Sequence, residues 1–96
     1  MVYPPLFTVY TTPACVQCTA TKRRLDALQK AGKIGAYLVT DLTDPANEGL
    51  LNRFKEDGYT KAPIVTVTHD EGNGSHVVDT WVGYDPDRID SHVVAA

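Results

Sequence analysis

Apolar and polar positions along this chain change period several times, and each change marks an element. Leu6-Phe7-Thr8-Val9-Tyr10 is a short apolar run rich in β-branched and aromatic residues. It predicts a strand buried on both faces of a sheet. From Thr19 to Ala31 the pattern becomes helical. Cys18, Thr21, Leu25 and Leu28 recur at spacings of 3, 4 and 3, so they share one inward face. Pro13 disfavours helix before it, so this first helix begins near Cys15, and Gly32 supplies its stop.

Gly35-Ala36-Tyr37-Leu38-Val39-Thr40 reads as a second strand. Two strands joined by a helix predict a parallel pair with a right-handed crossover. Asp44-Pro45 opens a second helix, with Asp44 as N-cap and Pro45 in the first position. Leu50, Leu51 and Phe54 form its apolar stripe, and Gly58 ends it. Ile64 to Thr68 is a third strand. His69 to Ser75, which contains Gly72-Asn73-Gly74, reads as a hairpin loop longer than the tightest type. Val77 to Trp81 returns antiparallel, and Gly83 breaks it. Asp85-Pro86 repeats the cap pattern and starts a last short helix, with Ile89 and Val93 facing inward. The predicted order is β-α-β-α-β-β-α, an α/β chain forming one domain over residues 1–96, with no repeat, linker or low-complexity segment.

Composition narrows the function classes. With 96 residues there is room for one core, and 43% hydrophobic with 22% charged residues is ordinary for a soluble globular protein. A formal net charge of −3 argues against nucleic acid as a partner, and the short basic run Lys22-Arg23-Arg24 reads as a solvated helix face. No apolar run approaches the ~20 residues that cross a membrane. Met1 to Tyr10 has no basic start and no long apolar stretch, and it contains Pro4 and Pro5, so it is not read as a signal peptide. The expectation is a cytoplasmic protein with a reactive dithiol.

Both cysteines lie in Thr12-Pro13-Ala14-Cys15-Val16-Gln17-Cys18, where a strand runs into a helix. A C-x-x-C in that setting reads as a thiol–disulfide redox motif. Unpaired backbone N–H groups and the positive end of the helix dipole favour an anion at Cys15, so Cys15 is the expected nucleophile. Cys18, one turn later on the inward face, is the expected resolving thiol. The alternatives are a structural disulfide and a zinc site. The first would close a very small loop and constrain the unfolded chain little. The second needs about four ligands, and His69, His76 and His92 lack paired spacing. No metal is expected, and the histidines read as surface loop and helix residues.

The chain also resembles a known family. Cys15-Val16-Gln17-Cys18, Ala20-Thr21-Lys22-Arg23, Leu25-Asp26, Ala62-Pro63, and Trp81-Val82-Gly83-Tyr84 followed by Pro86-Asp87 are similar to the thioredoxin superfamily in its small glutaredoxin form. They are closer still to the NrdH redoxins, which are glutaredoxin-like in sequence and thioredoxin-like in behaviour. The resemblance implies a thioredoxin fold, with a four-stranded mixed sheet flanked by helices. It implies a dithiol–disulfide oxidoreductase that donates electrons to class Ib ribonucleotide reductase and is itself reduced by thioredoxin reductase and NADPH. Cys15 would attack a disulfide in the C-terminal tail of the reductase's large subunit, and Cys18 would release the product, leaving Cys15–Cys18 oxidised. No cofactor beyond that disulfide is implied, and the expected state is a monomer. Pro63 resembles the cis-proline that faces the C-x-x-C, leaving the Ala62 backbone free to pair with an extended peptide. Trp81, Gly83 and Tyr84 match the loop that distinguishes these proteins from glutathione users. Val16, Gln17, Thr12 and Pro13 would form contact surface, and Lys61 could approach Cys15 across the site. The chain departs from the family at Thr12, where many members carry lysine, and at Val82 and Asp85, where a serine and an arginine tie the loop to its neighbours. The competing functions are a glutaredoxin using glutathione or another small thiol, and a non-catalytic redox sensor.

Overall fold

The computed structural model describes residues 5–70 and 75–93. Strands β1 (Leu6–Thr11), β2 (Leu38–Asp41), β3 (Ile64–Asp70) and β4 (Ser75–Val82) form one sheet in the order β2-β1-β3-β4. β1 runs parallel to β2 and antiparallel to β3, and β3 pairs antiparallel with β4. Helices α1 (Val16–Lys30), α2 (Glu48–Glu56) and α3 (Pro86–Ser91) connect and flank it, in the expected order.

The core lies on one face of the sheet. Val9 of β1 sits opposite Val65 of β3, and Val65 opposite Trp81 of β4, giving a continuous row across three strands. Phe7 and Val67 extend that layer, and Leu25 and Leu28 of α1, Ile34, and Ile89 of α3 close over it. Val93 packs against this cluster. The four buried residues of α1 are Cys18, Thr21, Leu25 and Leu28, the face that the spacing predicts. The opposite face carries α2 through Tyr10, Phe54 and Tyr59, with the Tyr10 and Phe54 rings edge-to-face at 4.8 Å. β1 is thus covered on both sides, as its apolar run predicts.

Several boundaries move. The second strand starts at Leu38, not Gly35, because pairing begins at Thr8↔Leu38 and the chain before it is still crossing from α1. Asp44 caps the chain through a bond from the Ala46 N–H at 3.0 Å, but what it caps is a short 3₁₀ turn, Pro45–Asn47. The α-helix follows at Glu48, and its stripe of Leu50, Leu51 and Phe54 is half-buried. The expected loop from His69 to Ser75 is shorter. His69 pairs with His76 and Asp70 with Ser75, so both ends belong to strands, and residues 71–74 lie outside the described ones. The histidines are therefore not all loop and helix residues: His69 and His76 lie in β3 and β4. Among the described residues no helix is long and apolar enough to cross a membrane.

Candidate active site

The end of β1 and the start of α1 set the redox pair. Ala14 has φ +56°, a left-handed turn that a residue with a side chain rarely adopts, and it stands directly before Cys15. The turn leaves Cys15 extended as the N-cap of α1, with its Sγ accepting the Cys18 N–H at 3.0 Å. A sulfur at this point faces the unpaired N–H groups of the first turn, where negative charge is favoured. Cys15 and Cys18 are joined as a disulfide, with Cα atoms 5.2 Å apart. Cys15 is half-buried while Cys18 is 2% exposed, so an incoming sulfur can reach only the first.

A shallow cleft of about 530 Å³ opens over the pair. Its lining includes Thr12, Pro13 and Ala14 of the loop, and Cys15, Val16, Cys18, Thr19 and Lys22 at the start of the helix. Val16 is 84% exposed beside Cys15. The cation in this lining is Lys22. Lys61, expected to approach Cys15, instead lines a neighbouring small apolar pocket with Leu42, Leu51, Tyr59 and Ala62. Thr12 borders both, so the two recesses meet at that residue.

The Ala62–Pro63 bond is cis, as the resemblance implies, and Pro63 is fully buried. Its carbonyl accepts the Gly83 N–H at 2.8 Å. The next residue, Tyr84, donates its N–H to Gln17 Oε1 at 3.0 Å. The turn, the loop after β4 and the helix carrying the cysteines are therefore linked by hydrogen bonds. The loop is tied here without the serine and arginine of the family pattern. Val82 offers no polar group, and Asp85 turns away to cap α3 by accepting the Arg88 N–H at 3.1 Å.

Trp81 is 4% exposed and belongs to the core. It anchors the strand from which Gly83 and Tyr84 emerge. Around it stands a cluster that sequence reasoning missed. Asp79 accepts two bonds from Arg88, at 2.6 and 2.9 Å, and a third from the backbone of Thr80. His92 Nε2 lies 2.8 Å from the same carboxylate. Arg88 lies over the Trp81 ring at 5.2 Å, and the His92 ring stacks on it at 6.1 Å. The Arg88 hydrogen bonds, followed by that of His92, hold the Asp79 carboxyl well below the usual range, against partial desolvation. A signal was present: Asp79 shares its strand face with Trp81, and Arg88 and His92 are four apart. An inward carboxylate in a strand asks for such partners.

No protein-family model and no curated protein matches this chain. Solved structures do. The glutaredoxin-like NrdH-redoxin from Escherichia coli, described as having a thioredoxin-like activity profile, is 25% identical, with 95% of this chain and 99% of that one covered and a TM-score of 0.64. Trichomonas vaginalis thioredoxin is 21% identical over 91% of this chain and 74% of its own, at a TM-score of 0.69. Chlamydomonas reinhardtii thioredoxin f2 is 13% identical over 93% and 75%, at a TM-score of 0.67.

Proposed function

We propose, taking the chain as the thioredoxin-fold thiol–disulfide oxidoreductase that its redox pair and structural neighbours make it, that it carries electrons from thioredoxin reductase and NADPH to class Ib ribonucleotide reductase. The observation that carries this reading is the redox site together with the extent of the structural likeness. Cys15 caps a helix with Cys18 buried behind it, and the likeness to the NrdH-redoxin spans 99% of that protein, against about three quarters of the thioredoxins.

In the proposed cycle the Cys15 thiolate attacks a sulfur of a disulfide in the large subunit's C-terminal tail. A mixed disulfide forms and one tail thiolate leaves. The Cys18 thiolate then attacks the Cys15 sulfur and releases the second. Two electrons pass to the tail, and the Cys15–Cys18 disulfide remains for thioredoxin reductase to reduce. The backbone of Ala62 pairs with the extended tail, while Thr12, Pro13, Val16 and Lys61 give it surface and Gly83 and Tyr84, held by the strand that the buried Trp81 anchors, bound the far side. The disulfide is the redox group, no further cofactor or metal takes part, and a cytoplasmic monomer does the work.

The electron source tests the reading. NADPH oxidation is followed with an oxidised tail peptide, once with thioredoxin reductase and once with glutathione and glutathione reductase. Rapid turnover with thioredoxin reductase is the expected result. Turnover with glutathione alone makes the chain a glutaredoxin, and none with either makes it a redox sensor.

A further inference from the structure

We propose that Gln17 is a positioning residue: its side-chain amide holds the loop after β4, and through it the Ala62–Pro63 turn, in register with the Cys15–Cys18 pair, and so sets how well a protein disulfide is seated.

Gln17 lies between the two cysteines, in the first turn of α1. Its Oε1 accepts the Tyr84 N–H at 3.0 Å, across 67 residues of sequence. Only the oxygen of the amide can accept from a backbone N–H, so this bond fixes which way the amide faces. The preceding residue confirms how close the two segments run. A Cβ built on Gly83 would stand 3.0 Å from the same Gln17 oxygen, so a side chain at position 83 would push the amide tip aside. The Gly83 N–H in turn donates to the Pro63 carbonyl at 2.8 Å.

The connection therefore runs from the redox helix through one side chain to the backbone at residues 83–84, and from there to the substrate turn. Asp85 is committed to the α3 cap and Val82 is apolar, so neither side chain makes this link. Among the described residues, Gln17 supplies the side-chain hydrogen bond that joins α1 to this loop. A small disulfide needs only the sulfur of Cys15. A protein disulfide must meet the cleft, the turn and the loop together, so a loop out of register costs it more. This goes beyond the choice of electron donor and rests only on thiol–disulfide exchange.

The test uses dithiothreitol as electron source, so that no reductase is needed. kcat/KM is measured for insulin, a protein disulfide, and for hydroxyethyl disulfide, a small neutral one. Gln17→Met keeps the length of the side chain and removes its acceptor. The ratio of the two kcat/KM values should fall about two- to tenfold, the range expected for one neutral hydrogen bond, through a rise in KM for insulin. Gln17→Glu keeps an oxygen in place and should return the ratio to near the parent value. The part of its added charge that acts on Cys15 is common to both substrates and cancels in the ratio, and assays at raised salt screen the part that acts on insulin. An unchanged ratio in Gln17→Met overturns the proposal. So does a ratio as low in Gln17→Glu as in Gln17→Met, or a fall carried by kcat alone.

Discussion

Alanine at Gly83 should cost more than alanine at Gly58, and the difference measures the contact between the redox helix and the loop after β4. The two glycines are matched in backbone, with φ of +94° and +89°. Placing a Cβ in that left-handed region costs about 1–2 kcal/mol at either position. The gain from a stiffer unfolded chain, about 0.4–1 kcal/mol, is also shared. The surroundings differ. At Gly58 a Cβ meets nothing within 4 Å, whereas at Gly83 it meets Gln17 Oε1 at 3.0 Å. The glutamine tip can swing aside, so the extra cost is its hydrogen bond to Tyr84, roughly 0.5–1 kcal/mol at an exposed site. Gly58→Ala should then lose about 1 kcal/mol and Gly83→Ala about 1.5–2 kcal/mol. Urea unfolding of both variants and the parent reads the difference directly, since equal slopes allow the midpoints to be compared. Insulin reduction should fall in Gly83→Ala alone. Equal losses of stability, or equal activity in the two variants, would refute the idea that the contact carries energy.

Two further outcomes follow from the site. Asp79 has its carboxyl pKa depressed in the folded protein, so its contribution is present above the unfolded carboxyl value near about pH 4 and is lost as pH falls through the lower folded value. Asp79→Asn should therefore lower stability at neutral pH and flatten the acid limb of a stability-against-pH curve; an unchanged limb would show that the Arg88 and His92 bonds do not couple to folding. Thr12 borders the cleft over Cys15, and a lysine there adds a cation beside the sulfur. Thr12→Lys should lower the thiolate pKa of the reduced protein, followed by thiolate absorbance, and an unchanged titration would place position 12 out of electrostatic reach.

Much of this architecture can be read from local signals. The spacing of Cys18, Thr21, Leu25 and Leu28 states the buried face of α1 outright, because helix periodicity and core burial are the same fact. The Asp-Pro pairs at positions 44 and 85 mark two starts, since a capping carboxylate and a proline are both local choices. The same signal did not reveal that the first start is 3₁₀ before it is α. The beginning of β2 at Leu38 depended on its partner Thr8, and pairing partners are not written in a strand's own residues. Likewise β3 and β4 run on to Asp70 and Ser75 because they find each other, although His69 and Asp70 look like loop. The site divides in the same way. Cys15 and Cys18 are legible from spacing and helix position. The bond from Tyr84 to Gln17 joins residues 67 apart, and the Asp79 cluster unites a strand with a helix end. Those contacts exist only once the sheet brings β4 beside β3. Lys22 sharing the cleft, with Lys61 in the adjoining pocket, is also a consequence of the three-dimensional arrangement.

The central claim is that the two sulfurs have unequal roles set by unequal exposure, with Cys15 half-buried at the helix cap and Cys18 2% exposed behind it. Intact-protein mass spectrometry after mixing reduced single-cysteine variants with a disulfide substrate tests it most directly. Cys18→Ser should accumulate a one-to-one mixed disulfide through Cys15, and Cys15→Ser should form little or none in the same time. A Cys15→Ser protein that traps substrate through Cys18 as fast, or a Cys18→Ser protein that completes many turnovers without a trapped adduct, would contradict the account.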